Sequence, residues 1–315
     1  MTDKIKAGVF GVGSLGQWHA RIYAEMPSAE LTGVYDPDPT QARAIAERYG
    51  TKAYDNMDAL AEDIDAASVA APTDRHFEVF SRLAARDCHM LMEKPIAATM
   101  EHAREMVAEA DRRNLVLQVG HVERFNPVVA FLESNLNAPR YIEAERLAPF
   151  PPSRPGALPR GTEVSVVLDL MIHDLDVILH LVNAPVKSLH AFGMPWLSAT
   201  EDFVNARLTF ENGCVASITA SRISPTRARR LRVFEEERCF SLDYMNQSAE
   251  LSRKSGDTME TAPVPIEKGD ALERQLAAFI DSVRGQTPPV VSGRHAAEAL
   301  ELGLRICTAI RNQPS

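Results

Sequence analysis

A histidine and an aspartate four residues apart lie in a segment that is otherwise largely apolar. The segment, residues 169–181, reads DLMIHDLDVILHL. On a regular helix, at about 100° per residue, Asp169, His173, Asp176 and His180 would form one polar stripe. An unpaired buried polar group costs about 1–3 kcal/mol, so such a stripe needs partners. It has three possible roles: a metal site, a structural hydrogen-bond network, or the wall of a catalytic cleft.

The spacing of the stripe argues against a single metal ion. Four side chains distributed over this length of helix span about 16 Å along its axis, so no one ion could bind all of them; the pair Asp169 and His173 remains possible for zinc. An imidazole with an ordinary pKa near 6.5 can also take up a proton at neutral pH. A catalytic cleft wall, with His173 as a general base, and a structural hydrogen-bond network therefore both remain possible for the stripe. No metal is expected.

A glycine-rich turn near the N-terminus has the spacing of a dinucleotide-binding loop. The stretch GVFGVGSLG follows a predicted strand and opens a predicted helix. Glycines there permit a tight turn and close approach of a pyrophosphate, which the N-terminus of the helix attracts. A glycine-rich turn that binds nothing, an FAD site and an S-adenosyl site are the alternatives. The loop residues expected to contact the cofactor are Gly11, Gly13, Ser14, Leu15 and Gly16.

An acid at the end of the second predicted strand strengthens this interpretation. Asp36 follows Gly16 by twenty residues, the position from which a carboxylate accepts hydrogen bonds from ribose hydroxyls. Asp38 adds a second acid where an NADP site would usually offer arginine or serine. The predicted cofactor is therefore NAD.

Three further motifs lie where predicted strands end or where the first predicted domain ends. They are AAPTDRH (70–76), EKP (93–95) and VGHVERFNP (119–127). Ligands of open α/β sheets bind at the carboxyl ends of the strands. Lys94 there could bond a ribose or substrate hydroxyl and lower the pKa of that hydroxyl; the alternative is a surface lysine paired with its neighbour. The other residues expected at the cofactor are Pro72, Thr73, His76, Glu93 and Arg124, although His76 could be a helix-packing residue and Arg124 could pair with Glu123.

The order of elements predicts an α/β protein of two domains. Up to residue 121, strands alternate with helices, as in the doubly wound parallel sheet of a Rossmann domain. Residues 122–315 predict an α+β domain with a mainly antiparallel sheet. The predicted strands of the two domains are 4–10, 30–36, 66–72, 88–93 and 115–121, then 140–148, 186–194, 203–210, 214–221, 229–236 and 238–243; the predicted helices are 14–26, 40–49, 75–86, 99–113, 126–135, 169–181, 270–284 and 293–311.

Composition limits the partners. The 315 residues carry 34 Lys and Arg against 43 Asp and Glu, a formal net charge of −9. This charge makes nucleic acid and anionic membranes poor partners. The N-terminal stretch lacks the pattern of a secretory signal and no apolar run is long enough to cross a membrane, so a cytoplasmic protein is expected.

Taken together and in this order, the dinucleotide loop, AAPTDRH, EKP, VGHVERFNP and Asp169-x-x-x-His173 resemble the Gfo/Idh/MocA family of oxidoreductases over essentially the whole chain. The resemblance implies oxidation or reduction of a sugar or polyol carbon by a nicotinamide, and a C-terminal domain that binds substrate and whose large, open sheet forms a homodimer or homotetramer. It implies that Lys94 touches both nicotinamide ribose and substrate, that Asp169 binds substrate and that His173 accepts the proton; Asp176 and His180, further along the helix, are then expected to form structural hydrogen bonds. The sequence departs from the family pattern at Thr73, where asparagine is common, and at Met171, where many members have glycine.

The strings GHVERFNP and DLMIHDLD resemble more closely the members that act on nucleotide sugars, which implies oxidation of carbon 3 of UDP-N-acetylglucosamine. A diphosphate needs cationic neighbours. Arg154 is the candidate for the substrate site, and further arginines occur at positions 146, 160, 222, 227, 229, 230 and 232, each of which could instead belong to a solvated or interface cluster. The alternative functions are an inositol or free-sugar dehydrogenase, a biliverdin-type reductase, and an NAD-binding regulator without turnover.

Overall fold

The structure, a computed structural model, describes residues 4–153, 159, 161–285 and 287–312. The chain forms two compact units: residues up to Val122 together with Asp270–Ala297, and Glu123–Gly269 together with residues from Glu298 onward. No helix in the described ranges is long and apolar enough to cross a membrane.

The strands and helices occur in the following order along the chain. The strands are β1 (Ile5–Phe10), β2 (Ala29–Tyr35), β3 (Lys52–Tyr54), β4 (Ala66–Val69), β5 (His89–Met92), β6 (Leu117–Val119), β7 (Tyr141–Leu147), β8 (Val186–Met194), β9 (Phe203–Phe210), β10 (Val215–Ser221), β11 (Ala228–Phe234), β12 (Arg238–Asp243), β13 (Ser248–Ser255) and β14 (Thr258–Val264). The helices are α1 (Gly16–Glu25), α2 (Pro39–Tyr49), α3 (Met57–Glu62), α4 (His76–Ala84), α5 (Met100–Arg113), α6 (Pro127–Asn135), α7 (Ile172–Val182), α8 (Ala271–Val283) and α9 (Gly293–Arg311).

The first unit is built on a six-stranded parallel sheet in the order β3-β2-β1-β4-β5-β6. This is the strand order of the Rossmann fold, in which the chain reverses direction of winding beside β1. Both faces of β1 are covered, because Ala7, Val9 and Phe10 are all buried. The short elements β3 and α3 have no counterpart in the sequence prediction, since a three-residue strand gives almost no periodic signal.

Helix α8 belongs to the first unit although it follows the C-terminal sheet in sequence. Its apolar side chains Leu276, Phe279 and Ile280 are fully buried in one core with residues of β1 and α1. The first unit therefore includes residues 270–297, in contrast to the two contiguous domains, 1–121 and 122–315, that the sequence suggested. The burial of this apolar face explains the return of the chain.

The second unit is built on an eight-stranded sheet in the order β14-β13-β12-β11-β7-β10-β9-β8. All neighbours are antiparallel except β7 and β10, which are parallel. Buried residues alternate along the central strands, and they form one core with apolar side chains of α6, α7 and α9. The opposite face carries charged side chains such as Glu143 and Arg232 together with the aromatic rings of Tyr141 and Phe234. Strands β13 and β14 were not predicted, because nearly all of β14 is exposed and it lacks an apolar face.

A buried ion pair joins α7 to the central strand β7. Arg146 donates from Nε and Nη2 to the two carboxylate oxygens of Asp174, at 2.7 and 3.0 Å, and from Nη1 to Glu123 at 3.0 Å. All three side chains are buried. Burial alone would lower the pKa of Arg146, but Asp174 and Glu123 raise it above its usual value, so the guanidinium stays charged. The bidentate geometry fixes both position and orientation of the helix.

The substitution Arg146→Met should lower the free energy of unfolding by about 3–5 kcal/mol, because it leaves two buried carboxylates without their cation. The matched control is Arg140→Met, which removes an exposed arginine that pairs with Glu236 at 2.8 Å and should cost at most about 1 kcal/mol. Urea denaturation of both variants measures the difference. Equal losses would show that the buried pair does not stabilise the second unit.

Candidate active site

The glycine loop has the shape of a phosphate cradle. Gly11 has φ +84°, a conformation that favours glycine, and a Cβ on Gly16 would overlap the carbonyl oxygen of Gly11. A Cβ on Gly13 would meet nothing within 4 Å, so the loop presents bare backbone to open space there. Ser14 is exposed, and Leu15, the residue before α1, makes no side-chain cap hydrogen bond. The backbone and the N-terminus of α1 therefore fit a dinucleotide pyrophosphate.

Asp36 lies at the end of β2 and binds the same loop. Its carboxylate accepts hydrogen bonds from the backbone N–H of Val12 at 2.8 Å and of Asp38 at 3.0 Å. The side chain of Gln41 donates to the carbonyl oxygen of Val12 at 2.8 Å and so also fixes the loop. An ionised carboxylate has about four acceptor positions, so Asp36 retains capacity for the ribose hydroxyls of a cofactor.

The imidazole of His76 contacts the backbone of two loops at once. Its ring is buried, with Nε2 3.0 Å from the carbonyl oxygen of Ala71 and Nδ1 3.0 Å from that of Pro95. Burial lowers the pKa of His76, which favours the neutral ring. The sequence placed His76 among the cofactor contacts, whereas the structure directs it at backbone carbonyls. It thereby supports the exposed Pro72 and the half-buried Thr73 on one loop, and the EKP loop on the other.

Glu93 is buried at the end of β5, beside the half-buried Lys94. Its Oε2 is 3.3 Å from the backbone N of Lys94, and its Oε1 is 3.4 Å from Nε2 of the fully buried His19 on α1. A Cβ on Gly120 would come within 2.6–2.9 Å of the Glu93 carboxylate. The sequence analysis missed His19 and Gly120; the signals were a histidine one turn beyond the glycine loop and a glycine after the last parallel strand.

In the second unit, Asp169 does not lie on the regular helix that the sequence predicted. Residues Val167–Met171 form a π-helical segment, and α7 begins only at Ile172. A Cβ on Gly161, which has φ +82°, would overlap the Asp169 carboxylate. Asp169 and His173 are both half-buried. Single π-helical turns are frequent at functional sites, and this one changes the angle between the two side chains from that of the predicted stripe.

The other members of the predicted stripe contact polar residues of their own unit. Asp176 is buried with Arg124 Nη1 at 3.8 Å, and His180 Nε2 lies 2.8 Å from the Glu133 carboxylate. Burial raises the pKa of Asp176 to about 7, against the opposing effect of Arg124. Arg124, expected at the cofactor, has its side chain almost completely buried between Asp176 and Glu133. No group of three or more metal-ligating side chains occurs in the portion of the chain that the structure describes.

Several of the arginines considered for a diphosphate are committed to ion pairs. Arg146 pairs with Asp174, and Arg222 is buried with its Nε 2.7 Å from Asp202. Burial excludes both from an open substrate site. Arg154 and Arg160 lie outside the described residues. The remaining four arginines have different surroundings. Arg229 lies 3.5 Å from Glu123, and Arg227 is exposed. On the open side of the sheet, Arg230 pairs with Glu145 and Arg232 pairs with Glu143.

Comparison with known proteins assigns this geometry to a family. Residues 5–121 match the Gfo/Idh/MocA oxidoreductase family, NAD-binding Rossmann fold, and residues 133–240 match the Gfo/Idh/MocA C-terminal domain. The chain is 34% identical over 313 residues to UDP-N-acetylglucosamine 3-dehydrogenase of Acidithiobacillus ferrooxidans, with 97% of each chain covered. The chain belongs to the Gfo/Idh/MocA family.

Other Gfo/Idh/MocA proteins are similar over comparable lengths. The scyllo-inositol 2-dehydrogenase (NAD⁺) of Bacillus subtilis is 25% identical over 330 residues, covering 99% of this chain and 96% of its own. The solved structure of the A. ferrooxidans UDP-N-acetylglucosamine 3-dehydrogenase superposes with a TM-score of 0.91 and covers 98% of both chains. The predicted family, fold and NAD-binding Rossmann domain of a dehydrogenase are thus confirmed.

The substitution Gly120→Ala should weaken cofactor binding in this Gfo/Idh/MocA protein. The new Cβ displaces the Glu93 carboxylate, and with it the support that this group gives to Lys94. Because Lys94 is expected to contact the nicotinamide ribose, the dissociation constant of NADH, measured by fluorescence titration, should rise several-fold. Glu93→Gln, which keeps the size of the side chain, tests charge separately. An unchanged NADH affinity in Gly120→Ala would exclude the positioning role of Glu93.

Proposed function

We propose that the protein is an NAD-dependent dehydrogenase that oxidises carbon 3 of UDP-N-acetylglucosamine to a 3-keto sugar. The observation that carries the proposal is the end-to-end similarity to an enzyme of that name, at 34% identity over 97% of both chains. Similarity to the inositol dehydrogenase is lower, at 25%. The retention of Lys94, Asp169 and His173 supports catalysis, because cofactor binding by the glycine loop needs none of the three.

The first unit supplies the cofactor site. We assign pyrophosphate binding to the loop of Gly11, Gly13 and Gly16 with the N-terminus of α1, and ribose binding to Asp36. NAD, when bound, supplies the acceptor for the hydride that leaves the carbinol carbon. Lys94 binds the reacting hydroxyl, and its charge stabilises the alkoxide that develops as the proton leaves.

The second unit supplies the base. His173 takes the proton from the hydroxyl group. The hydrogen on the carbinol carbon leaves with its two bonding electrons as a hydride, so the carbinol becomes a ketone. Asp169, fixed against Gly161, binds a neighbouring sugar hydroxyl and orients the substrate. The π-helical segment sets the direction of Asp169 independently of the regular helix that carries His173.

A substrate panel tests the proposal. NADH formation should occur with UDP-N-acetylglucosamine and be at least about tenfold slower, as kcat/KM, with N-acetylglucosamine, myo-inositol and scyllo-inositol, because a site that pairs with polar substrate groups rejects analogues that lack them. A second assay with 2-oxoglutarate measures its reduction to 2-hydroxyglutarate instead of NADH, and tests whether bound NADH must be reoxidised before turnover is seen. Oxidation of an inositol in preference to every UDP-sugar would overturn the substrate assignment.

Replacement of the proposed base should separate turnover from cofactor binding. His173→Ala should lower kcat by about 10²-fold or more, with nearly unchanged NADH affinity, since the residue handles only the proton. The control is His180→Ala on the same helix, which removes a half-exposed histidine paired with Glu133 and should leave kcat within twofold or so of the parent. Equal kcat values in the two variants would remove His173 from the mechanism.

We also propose that the protein forms a homodimer or homotetramer through the open face of the C-terminal sheet. This face carries the pairs Arg232–Glu143, at 3.1 Å, and Arg230–Glu145, at 3.9 Å. Alternating charges of both signs let the same surface complement a second copy of itself across a two-fold axis.

Reversal of one charge on that face should weaken the assembly. Arg232→Glu adds a third acid beside Glu143 and Glu145 on this face, and the repulsion should lower the mass measured by sedimentation. Arg82→Glu, on α4 of the first unit, should not lower it. A monomeric parent protein at micromolar concentration would contradict the proposed oligomer.

A further inference from the structure

The second unit contains an apolar pocket of about 360 Å³ that the proposed chemistry does not use. It is lined by Phe150, Trp196, Leu197, Ile223, Ser224 and Pro225. Trp196 is 66% exposed and Leu197 59% exposed. Ligand sites are typically apolar hollows of about this size with a few polar groups, and exposed large apolar side chains grouped together mark binding surfaces.

The loop that carries Trp196 is fixed by hydrogen bonds to a buried carboxylate. Oδ2 of the fully buried Asp202 accepts hydrogen bonds from the backbone N–H groups of Trp196, Leu197 and Ser198, at 2.8, 2.6 and 2.9 Å. Although burial alone would raise it, Arg222 and Ser198 hold the pKa of Asp202 well below its usual value, so this carboxylate is ionised. A loop fixed by an ionised buried group needs no ordering when a ligand arrives, which favours affinity.

The same buried group connects the pocket to the proposed substrate site. Arg222 donates from Nε to Asp202 at 2.7 Å and from Nη1 to the carbonyl of Gly161 at 2.5 Å. Gly161 in turn lies directly against the Asp169 carboxylate. Hydrogen bonds from Trp196 to Gly161, and the close approach of Gly161 to Asp169, thus connect the pocket within one unit to the acid assigned to the sugar.

We propose that this pocket is the subsite for the nucleobase of a nucleotide-sugar substrate. The exposed indole of Trp196 offers a flat face for stacking, and the apolar residues around it exclude water from the ring. The loop that supplies Ser224 and Pro225 continues to the exposed Arg227, whose charge complements a diphosphate. The subsite rests on the proposed function and sharpens it, because it makes the nucleotide part of the substrate a determinant of recognition.

Intrinsic fluorescence tests the subsite directly, because the chain has only two tryptophans, at positions 18 and 196. In Trp18→Phe, Trp196 is the sole indole. UDP should quench its emission in a saturable manner, and N-acetylglucosamine 1-phosphate, which lacks a base, should not. Titration of free N-acetyltryptophanamide with UDP corrects for absorption by the nucleotide, and the variant that carries both Trp18→Phe and Trp196→Ala shows any emission that does not come from Trp196.

Kinetics provide the second measurement. Trp196→Ala should raise the KM for UDP-N-acetylglucosamine roughly 5- to 150-fold, the range for loss of one base stack, with a much smaller change in kcat because the base lies away from the reacting carbon. Met259→Ala, which truncates another exposed apolar side chain of the same unit, is the control and should behave as the parent.

The outcomes separate the subsite from the function. If UDP-N-acetylglucosamine is oxidised but UDP leaves Trp196 emission unchanged and Trp196→Ala keeps its KM, the subsite is wrong and the function stands. If UDP quenches Trp196 but no UDP-sugar is oxidised, the nucleotide subsite stands and the assigned reaction fails. If Trp196→Ala instead lowers the sedimenting mass without changing KM, the pocket holds a second copy of the chain and the proposal is overturned.

Discussion

The ion pair between Arg146 and Asp174 sets the position of the helix that carries the proposed catalytic base. Asp174 directly follows His173 in sequence but lies in the buried interior, where both carboxylate oxygens accept from one guanidinium of the central strand. Two parallel hydrogen bonds restrict rotation as well as translation of α7. Because Asp174 is held so firmly, the backbone of the neighbouring His173 is fixed as well.

The same arrangement recurs at the other candidate sites. Lys94 follows Glu93, whose buried carboxylate contacts the backbone N of Lys94 and the imidazole of His19. The AAPT loop is bound by His76, and the loop of Trp196 by Asp202. In each of these three places a buried polar side chain contacts backbone atoms and so fixes the loop that carries a proposed ligand-binding residue. Such preorganisation matters because an error of about 1 Å in a catalytic group can cost 10²-fold in rate.

The parts of the fold that local sequence patterns specify were predictable. The Gly11-x-Gly13-x-x-Gly16 loop, the acid at position 36 and the alternation of strands and helices predict the Rossmann unit, because each depends on residues close together in the chain. The return of α8 to that unit was not predictable, because an amphipathic helix does not show which sheet it covers. The hairpin of β13 and β14 was missed because it lacks an apolar face.

The site residues, like the fold, were predictable only in part. The Asp169-x-x-x-His173 spacing marked both residues, yet the regular-helix geometry assumed for them was wrong because the π-helical segment intervenes. The roles of Asp202, Arg222, His19 and Gly120 depend on contacts between residues as far as 74 positions apart, the separation of His19 and Glu93, which spacing cannot reveal. The resemblance to enzymes of nucleotide sugars made Arg146 and Arg222 candidates for a diphosphate site, whereas both are buried cations paired with carboxylates of the second unit.

The most direct test of the account is the fate of a single hydrogen. UDP-N-acetylglucosamine deuterated at carbon 3 should yield reduced cofactor that carries the deuterium, seen by mass spectrometry, together with a 3-keto sugar that has lost it. Retention of deuterium in the sugar while NADH forms, or deuterium transfer only from substrate labelled at another carbon, would contradict the proposed reaction.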